Sequence, residues 1–198
     1  QQTNLNPEVA IVKLTPSGDL ENFKKQNGEF HIVVRGLENG EKIDKLQKID
    51  RVKDFLHPYQ EWQRFLDSAE DPDFQLVVSN STEAGLCYEK TDDYMVCPNS
   101  FPAKLYAWLK KRFTALGEEG AIAIMAFELI PDNASKLKSI LQQLAAEDKA
   151  SENLLNWLSN SCRYINTLVD RIVSKLPEQE SLALQKEFGI EDKLILCA

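Results

Sequence analysis

Phe74-Gln75-Leu76-Val77-Val78-Ser79-Asn80-Ser81-Thr82-Glu83-Ala84-Gly85 is the stretch from which the fold can be read. An apolar, β-branched run stops abruptly at small and polar residues, as a buried strand does when it opens into a loop at its carboxyl end. Downstream, Pro102 to Leu116 predicts a helix with Leu105, Trp108, Leu109 and Phe113 on its apolar side, broken by Gly117 and Gly120. A second apolar run, Ala121 to Phe127, ends in Glu128-Leu129-Ile130-Pro131-Asp132-Asn133. Ser135 then reads as the cap of a helix reaching about Ala146, and Ser151-Glu152 opens another with Leu154, Leu155, Trp157 and Leu158. Strand, polar loop, helix, repeated, is the rhythm of a parallel α/β sheet.

Working outward, Val9-Ala10-Ile11-Val12 predicts a short strand closed by the turn Thr15-Pro16-Ser17-Gly18. Phe30 to Arg35 and Glu41 to Val52 flank Leu37-Glu38-Asn39-Gly40, whose Asn-Gly pair suits the positive φ angles of a hairpin turn. Pro58 opens a helix carrying Tyr59, Trp62, Phe65 and Leu66, stopped by Asp71-Pro72-Asp73. Toward the other end, Tyr164 to Val173 reads as loop and strand, Glu178 to Phe188 as helix, and Lys193 to Ala198 as a strand. No repeat and no linker separates two domains, so residues 1–198 are expected to form one unit.

Composition removes several classes of function. The formal net charge of −8 repels phosphate backbones and anionic lipid, and the basic residues are scattered, so no nucleic-acid partner is expected. The longest apolar run, Ala121 to Phe127, falls far short of the roughly 20 residues that span a bilayer; no membrane partner is expected, and the reading is a cytoplasmic protein. Cys87, Cys97, Cys162 and Cys197 form no CxxC pair and His31 and His57 stand alone, so the metal expectation is none and reduced thiols are favoured over a Cys87–Cys97 disulfide.

In open parallel sheets ligands bind beyond the carboxyl ends of the strands, which directs attention to the loops after Val78 and Phe127. Asn80, Ser81, Thr82 and Glu83 on one, and Glu128, Asp132 and Asn133 on the other, offer amide, hydroxyl and carboxylate groups suited to a hydroxyl-rich ligand. Solvation alone also accounts for such polarity. Asp170-Arg171 after Asn166-Thr167-Leu168-Val169 reads equally as a substrate-orienting carboxylate or as a structural ion pair. Trp62, Trp108 and Trp157 on apolar helix faces read as core. The glycines at 18, 28, 36, 40, 85, 117, 120 and 189 never fall in the GxGxxG spacing of a dinucleotide-binding loop, so spacing alone gives little claim to that activity.

The ordered set Val34-Arg35-Gly36, Val77 to Gly85, Ser100-Phe101-Pro102-Ala103-Lys104-Leu105, Glu128 to Asn133 and Asn166-Thr167-Leu168-Val169-Asp170-Arg171-Ile172-Val173 resembles the mannitol dehydrogenase family of polyol-specific long-chain dehydrogenases. The resemblance runs from about Val9 to Ala198. It implies an incomplete Rossmann-like, NAD-binding α/β domain with a mostly parallel sheet and an inserted antiparallel hairpin. The family's opening glycine-rich strand and its helical catalytic domain, with the catalytic lysine, would then lie outside this chain, leaving it an inactive fragment. The cofactor implied is NAD, with Lys13 near the adenosine ribose and Asn80, Thr82 and Glu83 lining the nicotinamide side. A lysine at position 13, where an acid is more usual, leaves the choice between NAD and NADP open. Asn133 and Asp170 would support the substrate alcohol. Leu129, where mannitol-specific members carry asparagine, favours the uronate branch: a sugar-acid substrate, altronate or tagaturonate, interconverted by hydride transfer at C3. Mannitol or mannitol-phosphate oxidation, and a non-catalytic binding module, remain the alternatives. Absence of the first strand would leave sheet edges unpaired and favour self-association.

Overall fold

The computed structural model describes residues 7–17, 20–90, 93–168 and 173–198. In chain order its elements are β1 (Val9–Val12), α1 (Glu21–Lys25), β2 (Phe30–Glu38), β3 (Glu41–Ile49), β4 (Val52–Leu56), α2 (Trp62–Asp67), β5 (Leu76–Ser79), α3 (Phe101–Leu116), β6 (Ala123–Ala126), α4 (Asn133–Glu147), α5 (Glu152–Asn156), β7 (Arg163–Asn166), β8 (Ser174–Lys175), α6 (Glu178–Phe188) and β9 (Leu196–Cys197). The chain divides into two compact units, residues 57–170 and residues 1–56 with 171–198. No helix of the described residues is long and apolar enough to cross a membrane, and the four cysteines are free.

In the unit 57–170, β5, β6 and β7 form a parallel sheet in sequence order, with Val78, Met125 and Ile165 in one cross-strand row and Ser79, Ala126 and Asn166 at its carboxyl end. Parallel neighbours require crossovers, and α3 and α4 supply them. Ser100 starts α3 by accepting a hydrogen bond from the Ala103 amide, and Pro102 fits the first turn, where no N–H partner is needed. The apolar sides of these helices bury Leu105, Trp108 and Leu109, and Leu137, Leu141 and Leu144, in a core that also takes Ile124, Trp157 and Leu158. Helical periodicity is the reason for this selection: residues three and four apart share a face, and that face leaves water.

In the unit 1–56 and 171–198, β2 and β3 pair antiparallel from Phe30↔Ile49 to Glu38↔Glu41. The turn between them has Asn39 at φ 53° and Gly40 at φ 85°, the geometry the Asn-Gly pair predicts. β9 adds to β2 in parallel and β8 to β9 antiparallel, while β1 and β4 pair in parallel as a separate ribbon. Leu20, Phe30, Val52 and Phe55 form one buried cluster, with Phe23 edge-on to Phe30 at 5.5 Å. Val33, Leu176 and Ile195 form another.

The α/β class, its mostly parallel pairing and the inserted hairpin agree with the sequence reading. Several local readings need correction, among them the helix read from Pro58, which starts at Trp62, and α1, which the sequence reading did not contain. The extended segment 41–52 is two strands: the hairpin ends at Ile49, and Val52 begins β4, because Val52 to Leu56 finds its partners in β1 and not in β2. α4 starts at Asn133 instead of after Ser135, since Asp132, at φ 53°, turns the chain into the helix three residues earlier. β8 was missed; two exposed residues carry no alternation to read. Within the described residues β5 pairs only with β6, and β1 only with β4.

Candidate functional site

The carboxyl ends of β5, β6 and β7 are tied by side chains once the strand ladder runs out. Its last bond across the first pair is Phe127 N–H to the Ser79 carbonyl, 2.8 Å. Beyond it stands Glu128, at 1% exposure. Glu128 Oε1 accepts from the Ser81 amide and the Ser81 hydroxyl, both at 3.0 Å, and Oε2 accepts from the Ser79 hydroxyl at 3.2 Å. On the other side, Thr167 Oγ1 donates to the Ala126 carbonyl at 2.7 Å. Asn166 Oδ1 accepts from the Ser135 amide at 3.0 Å and so satisfies one of the orphan donors of the first turn of α4.

Asn133 is wholly buried and spends its entire amide on this framework. Nδ2 donates to the Glu128 carbonyl (2.9 Å) and the Thr167 carbonyl (3.1 Å); Oδ1 accepts from the Ala134 amide (2.8 Å) and the Thr167 amide (3.2 Å). An asparagine side chain has two donors and two lone pairs, and all four are used. The residue brackets the loop after β6 to the loop after β7. Asn80, Thr82 and Glu83, by contrast, are exposed on the loop after β5. Thr82 holds that loop's 3-10 turn, Glu83–Gly85, by accepting from the Gly85 amide at 3.2 Å. Leu129, 63% exposed, and Leu168, 84% exposed, are apolar groups beside this polar edge.

The structure thus brings Asn80, Thr82, Glu83 and Asn133 to one edge. Lys13 belongs to the other unit, one residue past the end of β1, where its amide continues the pairing to the Leu56 carbonyl at 2.8 Å and its ammonium is hydrogen-bonded to Thr15 Oγ1. Asp170 and Arg171 lie outside the described residues. Among the described residues no group of three His, Cys, Asp or Glu side chains could hold a metal ion. The buried ammonium of Lys104, whose pKa burial lowers, is committed to the Asn99 carbonyl at 2.6 Å and the Tyr59 hydroxyl at 3.2 Å. Burial pushes the Cys162 thiol up to about 11, which leaves it an unreactive neutral thiol.

The sequence reading missed the partnership of Ser79 and Ser81 with Glu128 and the capping by Asn166. A carboxylate directly after an apolar strand was the visible signal for the first. That it turns inward follows only from the register of β5 against β6. Chemically, the edge is a rigid rim of paired polar groups carrying an exposed Asn-Ser-Thr-Glu loop, suited to a ligand that offers amide and hydroxyl groups.

Residues 4–196 match the family model described as the mannitol dehydrogenase Rossmann domain. Altronate oxidoreductase of Halalkalibacterium halodurans is 33% identical over 202 aligned residues, covering 100% of this chain and 40% of that protein. The corresponding protein of Enterobacter sp. (strain 638) is 34% identical, covering 97% of this chain and 41% of its own length. Among solved structures, a substrate-free D-sorbitol dehydrogenase superposes with a TM-score of 0.75 at 19% identity, over 96% of this chain and 42% of the other. Pseudomonas fluorescens mannitol 2-dehydrogenase, in a ternary complex with NAD and D-mannitol, gives 0.71 at 21% identity over 89% and 37%. The two superpositions bear on the fold. The chain spans about 40% of the length of the curated relatives it matches.

Proposed function

This chain belongs to the mannitol dehydrogenase family, and from that premise we propose that it is the coenzyme-binding part of a cytoplasmic NAD-dependent altronate oxidoreductase, converting D-altronate and NAD to D-tagaturonate and NADH. The observation that carries this reading is the match of the whole chain, at 33% identity, to a curated altronate oxidoreductase. The family resemblance assigns two portions of the coenzyme to residues of this chain. Lys13 at the end of β1 takes the adenosine ribose, and Asn80, Thr82 and Glu83 take the nicotinamide side. The same resemblance gives the pyrophosphate to a glycine-rich loop and the removal of the hydroxyl proton to a lysine. Bound NAD supplies a hydride acceptor at the substrate carbon. Asp170 supports the reacting alcohol and that lysine, and Asn133, as bonded here, holds the rim against which the substrate is placed. The edge of β5 that has no strand partner among the described residues favours self-association of the isolated chain, readable by sedimentation.

The test is a spectrophotometric assay of the full-length gene product with altronate and NAD, with mannitol and NADP as controls. Altronate-dependent NADH formation is expected, with mannitol inert. Mannitol oxidation without altronate oxidation overturns the substrate assignment. The 198-residue chain by itself is expected to give no turnover.

A further inference from the structure

We infer that Glu128 is the positioning residue of the coenzyme-facing loop: its buried carboxylate sets the display of Asn80, Thr82 and Glu83. The inference rests on the proposed coenzyme role of that loop. Parallel pairing between β5 and β6 ends at the Ser79 carbonyl, and the next internal ties are the Ser81 hydroxyl on the Thr82 carbonyl, 3.3 Å, and Thr82 on the Gly85 amide. Between these points, among the described residues, the chain is fixed from outside by Glu128 alone, through one backbone amide and two hydroxyls. The amide bond to Ser81 is decisive because it fixes backbone direction and not merely a side chain. Ser81 in turn closes the loop on itself: a Cβ at Gly85 would stand 3.0 Å from Ser81 Cβ and 3.1 Å from its Oγ, so only glycine fits without movement.

The chemistry of the residue is informative as well. Among the described residues its carboxylate meets amide and hydroxyl donors and no cationic side chain. A buried carboxylate without a cation is costly, and an apolar residue at the same place would spare that cost. An ionised carboxyl group is, however, an acceptor only, with lone pairs enough for every donor that Ser79 and Ser81 present. Its placement at the rim, where three strand ends converge, makes it a spacer between the β6 end and the coenzyme loop.

The experiment compares Glu128→Ala, Glu128→Gln and Ser81→Ala in the full-length gene product, reading the KM for NAD, kcat, and hydrogen exchange at the Ser81 amide. Glu128→Ala is expected to raise the KM for NAD about tenfold with a smaller fall in kcat, and to speed exchange at Ser81. Glu128→Gln keeps a carbonyl oxygen for Ser81 and should stay within about threefold of wild type. Ser81→Ala keeps the backbone bond, and an intermediate KM from it supports the assignment even if Glu128→Ala fails to fold. An active Glu128→Ala enzyme with an unchanged KM overturns the inference, as does Glu128→Gln behaving like Glu128→Ala. If the wild type binds NADH but does not oxidise altronate, the substrate reading falls and the same comparison is made on NADH affinity. A wild type that binds no coenzyme overturns both.

Discussion

Each of the two units of the chain is fastened internally by one buried charge, cationic in one and anionic in the other. In residues 57–170 the hub is Arg112, 1% exposed, whose guanidinium donates to the carbonyls of Gly120 (2.7 Å), Ala69 (3.2 Å), Asp71 (2.7 Å) and Phe74 (2.8 Å). In the other unit it is Asp192, 2% exposed, whose carboxylate accepts from Gln26 Nε2 (2.8 Å), the Leu194 amide (2.7 Å), and the amide and Nδ1 of His31 (2.6 and 2.8 Å). Each hub stands where segments meet without a strand ladder. Where carbonyls are left over, at the ends of short helices and turns, a fork of N–H donors gathers them. Where amides are left over, beside β2 and before β9, an acceptor-only group does so. Burial lowers the Arg112 pKa, yet a guanidinium stays charged throughout the accessible range. Burial alone would raise Asp192, but the hydrogen bonds from Gln26, Leu194 and His31 outweigh it and hold the carboxyl below its usual range. Only the second hub is therefore sensitive to acid.

The largest expected effect is on the cationic hub. Arg112→Ala strands four carbonyls, two in buried bonds and two in part-buried ones, and should cost about 4 kcal/mol, with Arg112→Lys recovering little because one ammonium cannot span the fork. All three tryptophans lie in 57–170, so fluorescence-monitored urea unfolding should shift with Arg112→Ala. Asp192→Ala should cost about 3 kcal/mol, read by circular dichroism while the tryptophan transition stays in place. Coincident shifts of both probes in both variants would break the comparison by showing one cooperative unit.

Because the folded pKa of Asp192 lies below the reference value of 3.8, its contribution is present above that value and is lost as pH falls through the folded pKa. Asp192→Asn should remove this acid-dependent loss, and an unchanged acid titration of stability would count against the hub. The smallest effects separate two glycines of the same unit. Gly28→Ala places a Cβ 2.1 Å from the Val52 carbonyl oxygen at φ 77° and should cost at least about 2 kcal/mol, whereas Gly40→Ala, at φ 85° in open space, should cost about 1 kcal/mol. Equal losses would mean that backbone conformation, and not the close approach to β4, decides Gly28.

Much of this architecture is legible in the chain. Asn39-Gly40 specifies its turn locally, because few other residues accept those dihedrals. Ser151 is read as a helix start because a cap acts within three residues, and its hydroxyl accepts the Leu154 amide. Asp132 escaped notice because its side chain caps nothing and its left-handed φ shows only in the folded backbone. The break between Ile49 and Val52 escaped for another reason: both segments are extended, and only the choice of partner separates them.

At the candidate site the same division holds. The sequence by itself determined where the polar loops fall, since an apolar run must end where its strand leaves the core, and its resemblance pointed to the family that the comparisons establish. Tertiary structure alone decided which polar groups are spent and which are offered. Asn80, Thr82 and Glu83 stay exposed, while Asn133, Glu128 and Asn166 hold the rim together. Local chemistry sets what a side chain can bond, but which donors and acceptors come within 3 Å depends on strand register and helix packing between residues distant in the chain.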